Sequence, residues 1–525
     1  MRTIGERLVE GLAARGVKVV FGIPGVHTVE LYRGLSGSGV RHVTARHEQG
    51  CAFMADGYAR VSGQPGVAFV ITGPGVTNAL TAMAQSRGDS VPVLVISGVN
   101  RRAVQGFGLG FLHELPEQGA LVATLCPSRQ ITEAAEVGPV LDWAFDLMTS
   151  GRPGPVHIEV PTDVMPMPCD PLPPPAPMAP RPVPAPDAIA KAAKRLNKAQ
   201  RVVILAGGGA RGCDAVLRNL AERLDAPVIE TVNARGMLHG HPLCVPVSPC
   251  LEAARDLVAR ADQVLAIGTE FGPTEYDMYA VAAYPELPTM IRIDIAADQL
   301  ARRQAGIALL GDAGATMQAL LPLLTQRRTD GADRAAAAIA AARAELPAFS
   351  AHYPAMLGMV EAIRTAVPRA ILVGDSTQPV YAANLFYSHD RPGGYFNAAT
   401  GYGALGFGPG AAVGAALASP GTRVICLIGD GGLQFSPGEL RTAVDERLPI
   451  TFLVWNNAAY AEIADAMRGA NTEVIGCHPS PLRLEPFAAA CDLPFTSVPL
   501  DPEVLHWALT QANDGPRLIE IRVGR

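Results

Sequence analysis

The stretch "RVICLIGDGG" (residues 423–432) decides the fold of this 525-residue chain, and "ITFLVWNN" (residues 450–457) repeats its design. In both, an unbroken apolar run ends abruptly in glycines or polar residues. A strand without hydrophobic alternation is buried on both faces, which is typical of a parallel sheet covered by helices on each side. Similar runs recur along the chain, as in "VKVVFGIPG", "GVAFVITGPG", "VPVLVISG", "RVVILAGGG", "QVLAIGTE" and "AILVGDS". The pattern predicts an α/β protein.

Two changes in composition divide the chain into three blocks. The proline-rich residues 166–186 indicate an extended linker, and the alanine-rich residues 326–350 predict an exposed helix that bridges two units. We therefore expect three doubly wound parallel-sheet domains, at residues 1–165, 187–325 and 350–525. The first and third blocks share one order of strand, glycine loop, helix, strand and polar end. This echo suggests a duplicated unit, although all α/β units resemble one another to some extent.

The composition argues against several classes of protein. Hydrophobic residues make up 49% of the chain, charged residues 18%, and the net charge is −6, whereas a nucleic-acid or membrane-surface partner favours a basic protein. No apolar run reaches the ~18 residues that a membrane-spanning helix needs. The first helix carries acidic residues, unlike a signal peptide. The nine cysteines include no Cys-x-x-Cys pair, which favours a reduced, cytoplasmic compartment.

Polar residues at the ends of two strands predict a metal and phosphate site. Ligands of open parallel sheets bind beyond the carboxyl ends of the strands. Asp430 stands there between glycines, and the following helix offers free N–H groups to a phosphate. A carboxylate that faces a phosphate needs a cation between them, and Mg²⁺ prefers oxygen ligands such as an Asn457 amide. Taken singly, Asp430 could be a helix N-cap and Asn457 an Asx turn.

Gly-Asp-Gly followed by Asn-Asn resembles the cofactor signature of thiamine-diphosphate-dependent enzymes. Further motifs fall in the order found in the acetolactate synthase and 2-oxo-acid decarboxylase superfamily: "VFGIPG", "RHEQGCAFMADGYAR", "ITGPGVTNALTAM", "RPGPVHIEVPTDV", "GALGFGPGAAVGAA" and "GDGGLQF". The resemblance covers essentially the whole chain. It implies a pyrimidine-binding domain, a central Rossmann-like domain and a diphosphate-binding domain, in that order.

The resemblance also assigns the residues that would bind the cofactors, thiamine diphosphate and Mg²⁺. The metal ligands would be the Asp430 carboxylate, the Asn457 amide and the carbonyl of Ala459. Leu405 would wedge the cofactor into a V shape. The cofactor-binding set as a whole comprises Gly25, Glu48, Thr72, Asn78, Ser376, Thr377, Gln378, Gly403, Leu405, Gly429, Gly431, Gly432 and Tyr460.

Glu48 in "RHEQG" matches the catalytic glutamate of the family. The chemistry needs a carboxyl in a dry pocket, because burial raises the pKa of a carboxyl group and lets it share a proton with a pyrimidine nitrogen of the cofactor. The cofactor then forms its C2 ylid, adds to a 2-oxo acid, and passes through an enamine after CO₂ leaves. His27 and His113 are further catalytic candidates. Taken alone, Glu48 could be a solvated residue at a helix start.

The combination of "FLHELPEQGALV", "GTEFGPTEYDMY" and "VWNNAAYAEI" resembles 5-guanidino-2-oxopentanoate (2-ketoarginine) decarboxylases. A guanidinium substrate needs a carboxylate partner. Glu114, Glu462 and Asp465 are the candidates, and each could instead be a surface or helix-cap acid.

Three alanines in the metal loop depart from that subgroup, whose members usually carry "NNDGYGEI". Ala458, Ala459 and Ala461 replace an aspartate and two glycines. The carbonyl of Ala459 can serve as a ligand only if its φ angle is negative, because an alanine lacks the conformational freedom of glycine.

Other functions remain as alternatives. An acetolactate-synthase-type carboligase would join two 2-oxo acids, and a non-catalytic scaffold would keep only the fold. We do not expect this chain to bind FAD, because "GTEFGPTEYD" lacks the arginine of flavin-binding synthases. "AGGGARG" satisfies the Gly-x-Gly-x-x-Gly pattern of an NAD-linked dehydrogenase, without a catalytic residue to accompany it. The family pattern implies a homodimer or homotetramer in which Glu48 of one chain serves the cofactor of another.

Overall fold

The computed structural model describes residues 1–277 and 284–524. It contains three six-stranded parallel sheets, each with helices on both faces, in successive parts of the chain. The predicted α/β class with three doubly wound sheets is therefore confirmed. Met278 and Tyr279, the last residues of the motif "GTEFGPTEYDMY", lie outside the described residues.

The N-terminal sheet has the strand order β3-β2-β4-β5-β7-β6. The strands of this part of the chain are β1 (Arg2–Thr3), β2 (Val19–Gly22), β3 (Arg41–Thr44), β4 (Gly66–Val70), β5 (Val93–Val99), β6 (Ser128–Gln130), β7 (Pro155–Pro161) and β8 (Pro168–Cys169). The helices are α1 (Ile4–Ala14), α2 (Val29–Leu35), α3 (Glu48–Ser62), α4 (Pro74–Gly88), α5 (Gln118–Ala123) and α6 (Val137–Thr149).

The central sheet has the strand order β11-β10-β9-β12-β13-β14, the order of a dinucleotide-binding fold. Its strands are β9 (Val202–Ala206), β10 (Val228–Glu230), β11 (Cys244–Val245), β12 (Gln263–Ile267), β13 (Ile291–Asp294) and β14 (Ile307–Leu310). Its helices are α7 (Pro186–Lys198), α8 (Asp214–Leu224), α9 (Glu252–Ala259), α10 (Pro273–Tyr276), α11 (Ala297–Arg302) and α12 (Ala313–Leu320).

The C-terminal sheet has the strand order β16-β15-β17-β18-β20-β19. Its strands are β15 (Ile371–Gly374), β16 (Tyr395–Asn397), β17 (Val424–Gly429), β18 (Ile450–Asn456), β19 (Phe495–Pro499) and β20 (Arg517–Arg522). After the connecting helix α13 (Gly331–Phe349), its helices are α14 (Tyr353–Ala366), α15 (Gln378–Leu385), α16 (Phe407–Ala418), α17 (Asp430–Leu433), α18 (Glu439–Asp445), α19 (Ala461–Gly469), α20 (Leu484–Ala490) and α21 (Pro502–Thr510).

The N-terminal and C-terminal sheets have the same topology. Numbered from the first strand of each sheet, both follow the order 2-1-3-4-6-5, whereas the central sheet follows 3-2-1-4-5-6. The strands that carry the repeated sequence pattern, β4 with β5 and β17 with β18, are the third and fourth of their sheets. The identical order favours the duplicated unit over a general likeness among α/β units.

Two connecting segments differ from the sequence prediction. The proline-rich segment was predicted to be an extended linker, but β8 near its start forms a short sheet. It pairs antiparallel with β1, with Cys169 opposite Arg2 and Pro168 opposite Thr3. Helix α13 is not exposed all round. Its Ala335, Ala338 and Ala342 belong to an apolar cluster that joins the central and C-terminal domains, because small side chains allow close packing.

A second apolar cluster joins the N-terminal and C-terminal domains. It includes Phe53 of α3 and Phe407 of α16, whose ring centroids lie 5.3 Å apart. The two terminal domains of one chain therefore share a core. None of the helices in the described part of the chain is both long and apolar enough to cross a membrane.

Candidate functional site

Asp430 and Asn457 lie together at the carboxyl edge of the C-terminal sheet. Strands β17 and β18 are hydrogen-bonded neighbours, so the residues that follow them reach the same crevice. The backbone N–H of Asn457 donates to the Asp430 carboxylate, which is only 5% exposed. Burial raises the pKa of Asp430, and this hydrogen bond opposes the rise. This hydrogen bond places the Asp430 carboxylate against the backbone of Asn457, in the crevice where the cation was predicted.

The turn after β18 uses both asparagines. The Asn456 side chain donates to Glu520 at 2.6 Å and accepts from the backbone N–H of Ala458 at 3.2 Å. The Asn457 side-chain oxygen accepts from the N–H of Ala459 at 3.1 Å. Ala458 takes the left-handed conformation with φ 54°, whereas Ala459 has no positive φ. Ala459 therefore meets the condition for its carbonyl to serve as a metal ligand, which was that its φ is negative.

Two glycine-containing loops form a cradle beside this pair. A Cβ atom at Gly431 would lie 2.6 Å from the Tyr460 ring, and one at Gly429 would lie 3.0 Å from Oγ1 of Thr377. The Oγ of Ser376 is buried and has no hydrogen-bond partner among the residues that the structure describes. A buried hydroxyl without a partner is costly, so a phosphate oxygen at this place would satisfy it. This cradle has the features expected of the predicted diphosphate site. The predicted residues that form it are Ser376, Thr377, Gly429, Gly431, Gly432 and Tyr460.

Gln378 bridges Asn457, a predicted metal ligand, and Glu462, a predicted substrate-binding residue. Its side-chain oxygen accepts from the amide of Asn457, and its amide donates to Glu462, both at 3.4 Å. Glu462 is half-buried, which raises the pKa of its carboxyl. It forms no ion pair with any residue in the described ranges. A carboxylate at the cofactor edge without a basic partner is suited to a cationic substrate.

The other two predicted substrate acids already have partners. Asp465 is exposed and forms an ion pair with Arg468 at 2.5 Å. Glu114 accepts hydrogen bonds from three backbone N–H groups of its own loop, those of Leu109, Gly110 and Phe111. Of the three acids, Glu462 is therefore the best placed.

Glu48 is the first residue of α3 in the N-terminal domain. Its carboxylate accepts from the Asn78 amide at 2.9 Å, so two predicted cofactor residues are in contact. The side chain is partly exposed within the single chain. Gly25 lies close to Ile71, whose Cδ1 would be 2.4 Å from an added Cβ atom.

His27 and His113 form a pair near the carboxyl edge of the N-terminal sheet. Their ring centroids lie 5.3 Å apart in an edge-to-face arrangement. The Nδ1 atoms of both rings and the Oγ1 of Thr72 are buried, and within residues 1–277 and 284–524 they have no hydrogen-bond partners. Burial, and then the proximity of His113, lower the pKa of His27. A Cβ atom at Gly98 would clash with Thr72, so glycine permits these groups to converge.

Gly403 and Leu405 lie at the other end of α4 from Glu48. The backbone N–H of Ala404, between them, donates to Gln85. Glu48 contacts Asn78, seven residues earlier on the same helix, which corresponds to roughly 10 Å of helical rise. Gly403 has φ 79°. The residues predicted to contact the pyrimidine therefore lie in two separate places within one chain.

Two buried polar side chains that support the site were missed by the sequence analysis. Asp375 accepts from the backbone N–H groups of Ser376 and Gly408, both at 2.8 Å, and burial raises its pKa to about 6. It joins the phosphate loop to α16. Gln118 accepts from the N–H of Gly73 and donates to Glu159. The position of Asp375 directly after a strand, in "GDSTQ", was the available signal.

The glycine motif of the central domain has a packing role. A Cβ atom at Gly207 would lie 2.3 Å from the carbonyl oxygen of Gly268, and one at Gly209 would lie 2.8 Å from its Cα. The motif borders a cavity of about 520 Å³ among the three domains, in which Arg152 pairs with Glu270. The absence of FAD stays a prediction.

Three family models match successive parts of the chain. "Thiamine pyrophosphate enzyme, N-terminal TPP binding domain" matches residues 2–121, the central domain of that enzyme matches residues 189–320, and its C-terminal TPP binding domain matches residues 375–521. These matches agree in order with the three sheets.

Curated relatives cover most of the chain. The probable 2-ketoarginine decarboxylase AruI of Pseudomonas aeruginosa is 43% identical over 485 residues, which are 91% of this chain and 86% of that protein. Acetolactate synthase isozyme 1 large subunit of Escherichia coli is 31% identical over 472 residues, 87% and 82% of the two chains. The probable acetolactate synthase large subunit of Methanocaldococcus jannaschii is 30% identical over 475 residues, 86% and 80%. The resemblance inferred from the motifs is confirmed.

Proposed function

The chain belongs to the thiamine pyrophosphate enzyme family, and from this premise we propose that it decarboxylates 5-guanidino-2-oxopentanoate to an aldehyde without oxidation. One observation carries the choice of substrate: the half-buried Glu462 carboxylate stands beside the predicted cofactor site without a basic partner among the described residues. The 43% identity with a protein named as a probable 2-ketoarginine decarboxylase supports the same choice.

Thiamine diphosphate, when bound, supplies the electron sink that a 2-oxo acid needs in order to lose CO₂. Asp430, Asn457 and the carbonyl of Ala459 would hold Mg²⁺, and the unpartnered hydroxyl of Ser376 would donate to the diphosphate. Glu48 would hold a proton against a pyrimidine nitrogen. The buried Nδ1 atoms of His27 and His113 would exchange a proton with the reacting carbon.

We further propose a homodimer or homotetramer in which two chains build each active site. Glu48 is partly exposed in the single chain, whereas its function requires a dry pocket. Apolar side chains near the predicted site, Phe107, Leu109, Leu112 and Tyr402, are each at least 62% exposed and would be covered by a partner. All nine cysteines lie in described positions and are free thiols, which supports a cytoplasmic location.

The products test the reaction. The enzyme is supplied with thiamine diphosphate and Mg²⁺, and pyruvate and 5-guanidino-2-oxopentanoate are offered separately. We expect 4-guanidinobutanal and CO₂ from the second substrate. Formation of acetolactate from pyruvate, with no turnover of the guanidino acid, would show a carboligase instead. Glu48→Gln should retain cofactor binding and lose about 10²-fold or more of the turnover, in line with the loss of a general acid–base group.

The role of Glu462 is tested by a matched pair of variants. Glu462→Gln removes the charge proposed to bind the guanidinium and should raise KM for the guanidino substrate about 10-fold, the loss of one charge-assisted hydrogen bond. Asp465→Asn, which removes an exposed charge three residues later, should change KM less than about twofold. Equal effects of the two variants would contradict the assignment.

A further inference from the structure

We propose that Glu439 is a positioning residue that holds the backbone directly before Glu48, and this inference rests on the function proposed for Glu48. Glu439 opens α18 in the C-terminal domain and is 1% exposed. Its carboxylate accepts hydrogen bonds from the backbone N–H groups of Arg46 and His47, each at 3.1 Å, and from the hydroxyl of Thr442 at 2.8 Å. The contact crosses from one domain to another.

The two N–H groups belong to the residues directly before Glu48. His47 is the N-cap of α3, and Arg46 precedes it. A negative charge beside the N-terminus of a helix is favourable. Glu439 supplies that charge at the start of α3. A Cβ atom at Gly50 would lie 2.1 Å from Oε1 of Glu439, so the first turn of α3 approaches the carboxylate as closely as only glycine permits.

The side chain of Arg46 also binds to α18. Its guanidinium donates to Asp445 at 2.5 Å and to Thr442 at 3.1 Å, both on α18. Its Cβ would lie 2.8 Å from a Cβ atom at Gly438. Both the backbone and the side chain of Arg46, two residues before Glu48, are thus held by one helix.

The same helix follows the diphosphate loop in the chain. Helix α17, which begins with Asp430, is separated from α18 by only five residues. Glu48 belongs to the N-terminal domain by sequence, yet its backbone is oriented by the segment that carries a predicted metal ligand. The C-terminal domain therefore has two functions, binding the diphosphate and orienting the catalytic carboxylate.

Three variants of the full-length enzyme test the inference: Glu439→Gln, Glu48→Gln and the control Glu446→Gln. Glu446 follows the end of α18 and pairs with the exposed Arg41, so its removal leaves the buried attachment intact. For each protein we measure the dissociation constant of thiamine diphosphate with Mg²⁺, the exchange rate of the cofactor C2 proton with deuterium, kcat and KM, and backbone hydrogen exchange over residues 41–50.

Glu439→Gln should lower the C2 exchange rate and kcat about 10- to 100-fold, the effect of a displaced catalytic group, with KM and cofactor affinity nearly unchanged. Backbone exchange over residues 41–50 should become faster, and Glu446→Gln should match the wild type. C2 exchange at the wild-type rate in Glu439→Gln would overturn the inference. If Glu48→Gln also exchanges at that rate, the function proposed for Glu48 fails instead.

Glu439→Asp serves if the glutamine variant does not fold. It keeps the charge but shortens the side chain by one methylene, so the carboxylate can no longer reach both N–H groups in the same geometry. We expect slower C2 exchange with unchanged cofactor affinity. Wild-type C2 exchange together with wild-type backbone exchange over residues 41–50 would again overturn the inference.

Discussion

Ala458 is the residue at which the metal loop is strained. Its φ of 54° places it in the left-handed region, which costs a residue with a side chain roughly 1–2 kcal/mol. The hydrogen bond from its N–H to the Asn456 side chain holds it there. The left-handed conformation of Ala458 therefore lowers the local stability of the loop. The neighbouring Ala459 has no positive φ and carries no such cost.

Replacing these two alanines by glycine should have opposite effects on stability. Ala458→Gly relieves the strain and should raise the free energy of unfolding by about 0.5–1 kcal/mol, the relief being partly offset by the greater entropy of glycine in the unfolded chain. Ala459→Gly brings only that entropy and should lower the free energy by about 0.5–1 kcal/mol. Urea denaturation of the cofactor-free protein measures both. Equal shifts of the same sign would show that Ala458 is unstrained.

Helix α3 of the N-terminal domain packs against helix α16 of the C-terminal domain, and glycines lie where the two backbones come close together. A Cβ atom at Gly57 would lie 2.0 Å from the carbonyl oxygen of Ala411, and one at Gly414 would lie 1.9 Å from that of Met54. Atoms at these distances overlap, so the two backbones can come this close only where there is no side chain. The separation of the helices in turn sets the positions of Glu48 at the start of α3 and Leu405 before α16.

Gly414→Ala should destabilise the protein although alanine favours helices. The added methyl group would push α3 away from α16, and overpacking of this kind costs about 1–3 kcal/mol. Gly469→Ala is the control, because Gly469 ends α19 with open space around it, and the free energy of unfolding should stay constant or rise by up to about 1 kcal/mol. Thermal denaturation compares the two. A stable Gly414→Ala variant would mean that the helices can separate without loss.

At the scale of the whole molecule, each chain carries two groups of predicted site residues, one in each terminal domain. The N-terminal domain holds Glu48 with Asn78, and the C-terminal domain holds Asp430 with Asn457. Their sheets share one topology, so two copies related by twofold symmetry can place unlike domains against each other. Such an arrangement would cover the exposed apolar loops and exclude water from Glu48.

Mixed subunits test this arrangement. Glu48→Gln and Asp430→Asn should each be inactive alone. If two chains build each site, co-expression of the two variants with different affinity tags yields a heterodimer in which one site has both native residues. We expect this purified heterodimer to recover about half of the wild-type turnover. A heterodimer without activity would show that Glu48 and Asp430 of one chain act together.

The agreement between sequence and structure follows from the range of the interactions involved. Unbroken apolar runs determine buried parallel strands locally, so the fold class and the three sheets could be predicted. Asp430 and Asn457 could be paired because neighbouring parallel strands end at one edge. The pairing of β8 with β1 was missed, since the first residues of the chain carry no signal for a strand that forms far along the sequence.

The sequence by itself determined the three-domain α/β fold and the family to which the chain belongs, because these depend on short motifs and strand periodicity. It also predicted that the site lies at the carboxyl edges of the sheets. Only the tertiary structure decided that Glu439 holds the backbone before Glu48, that Asp375 ties the phosphate loop to α16, and that Glu114 is occupied by its own loop. These contacts depend on which donors the fold brings within hydrogen-bonding distance. Glu439 and His47 lie 392 residues apart, and no local pattern records that meeting.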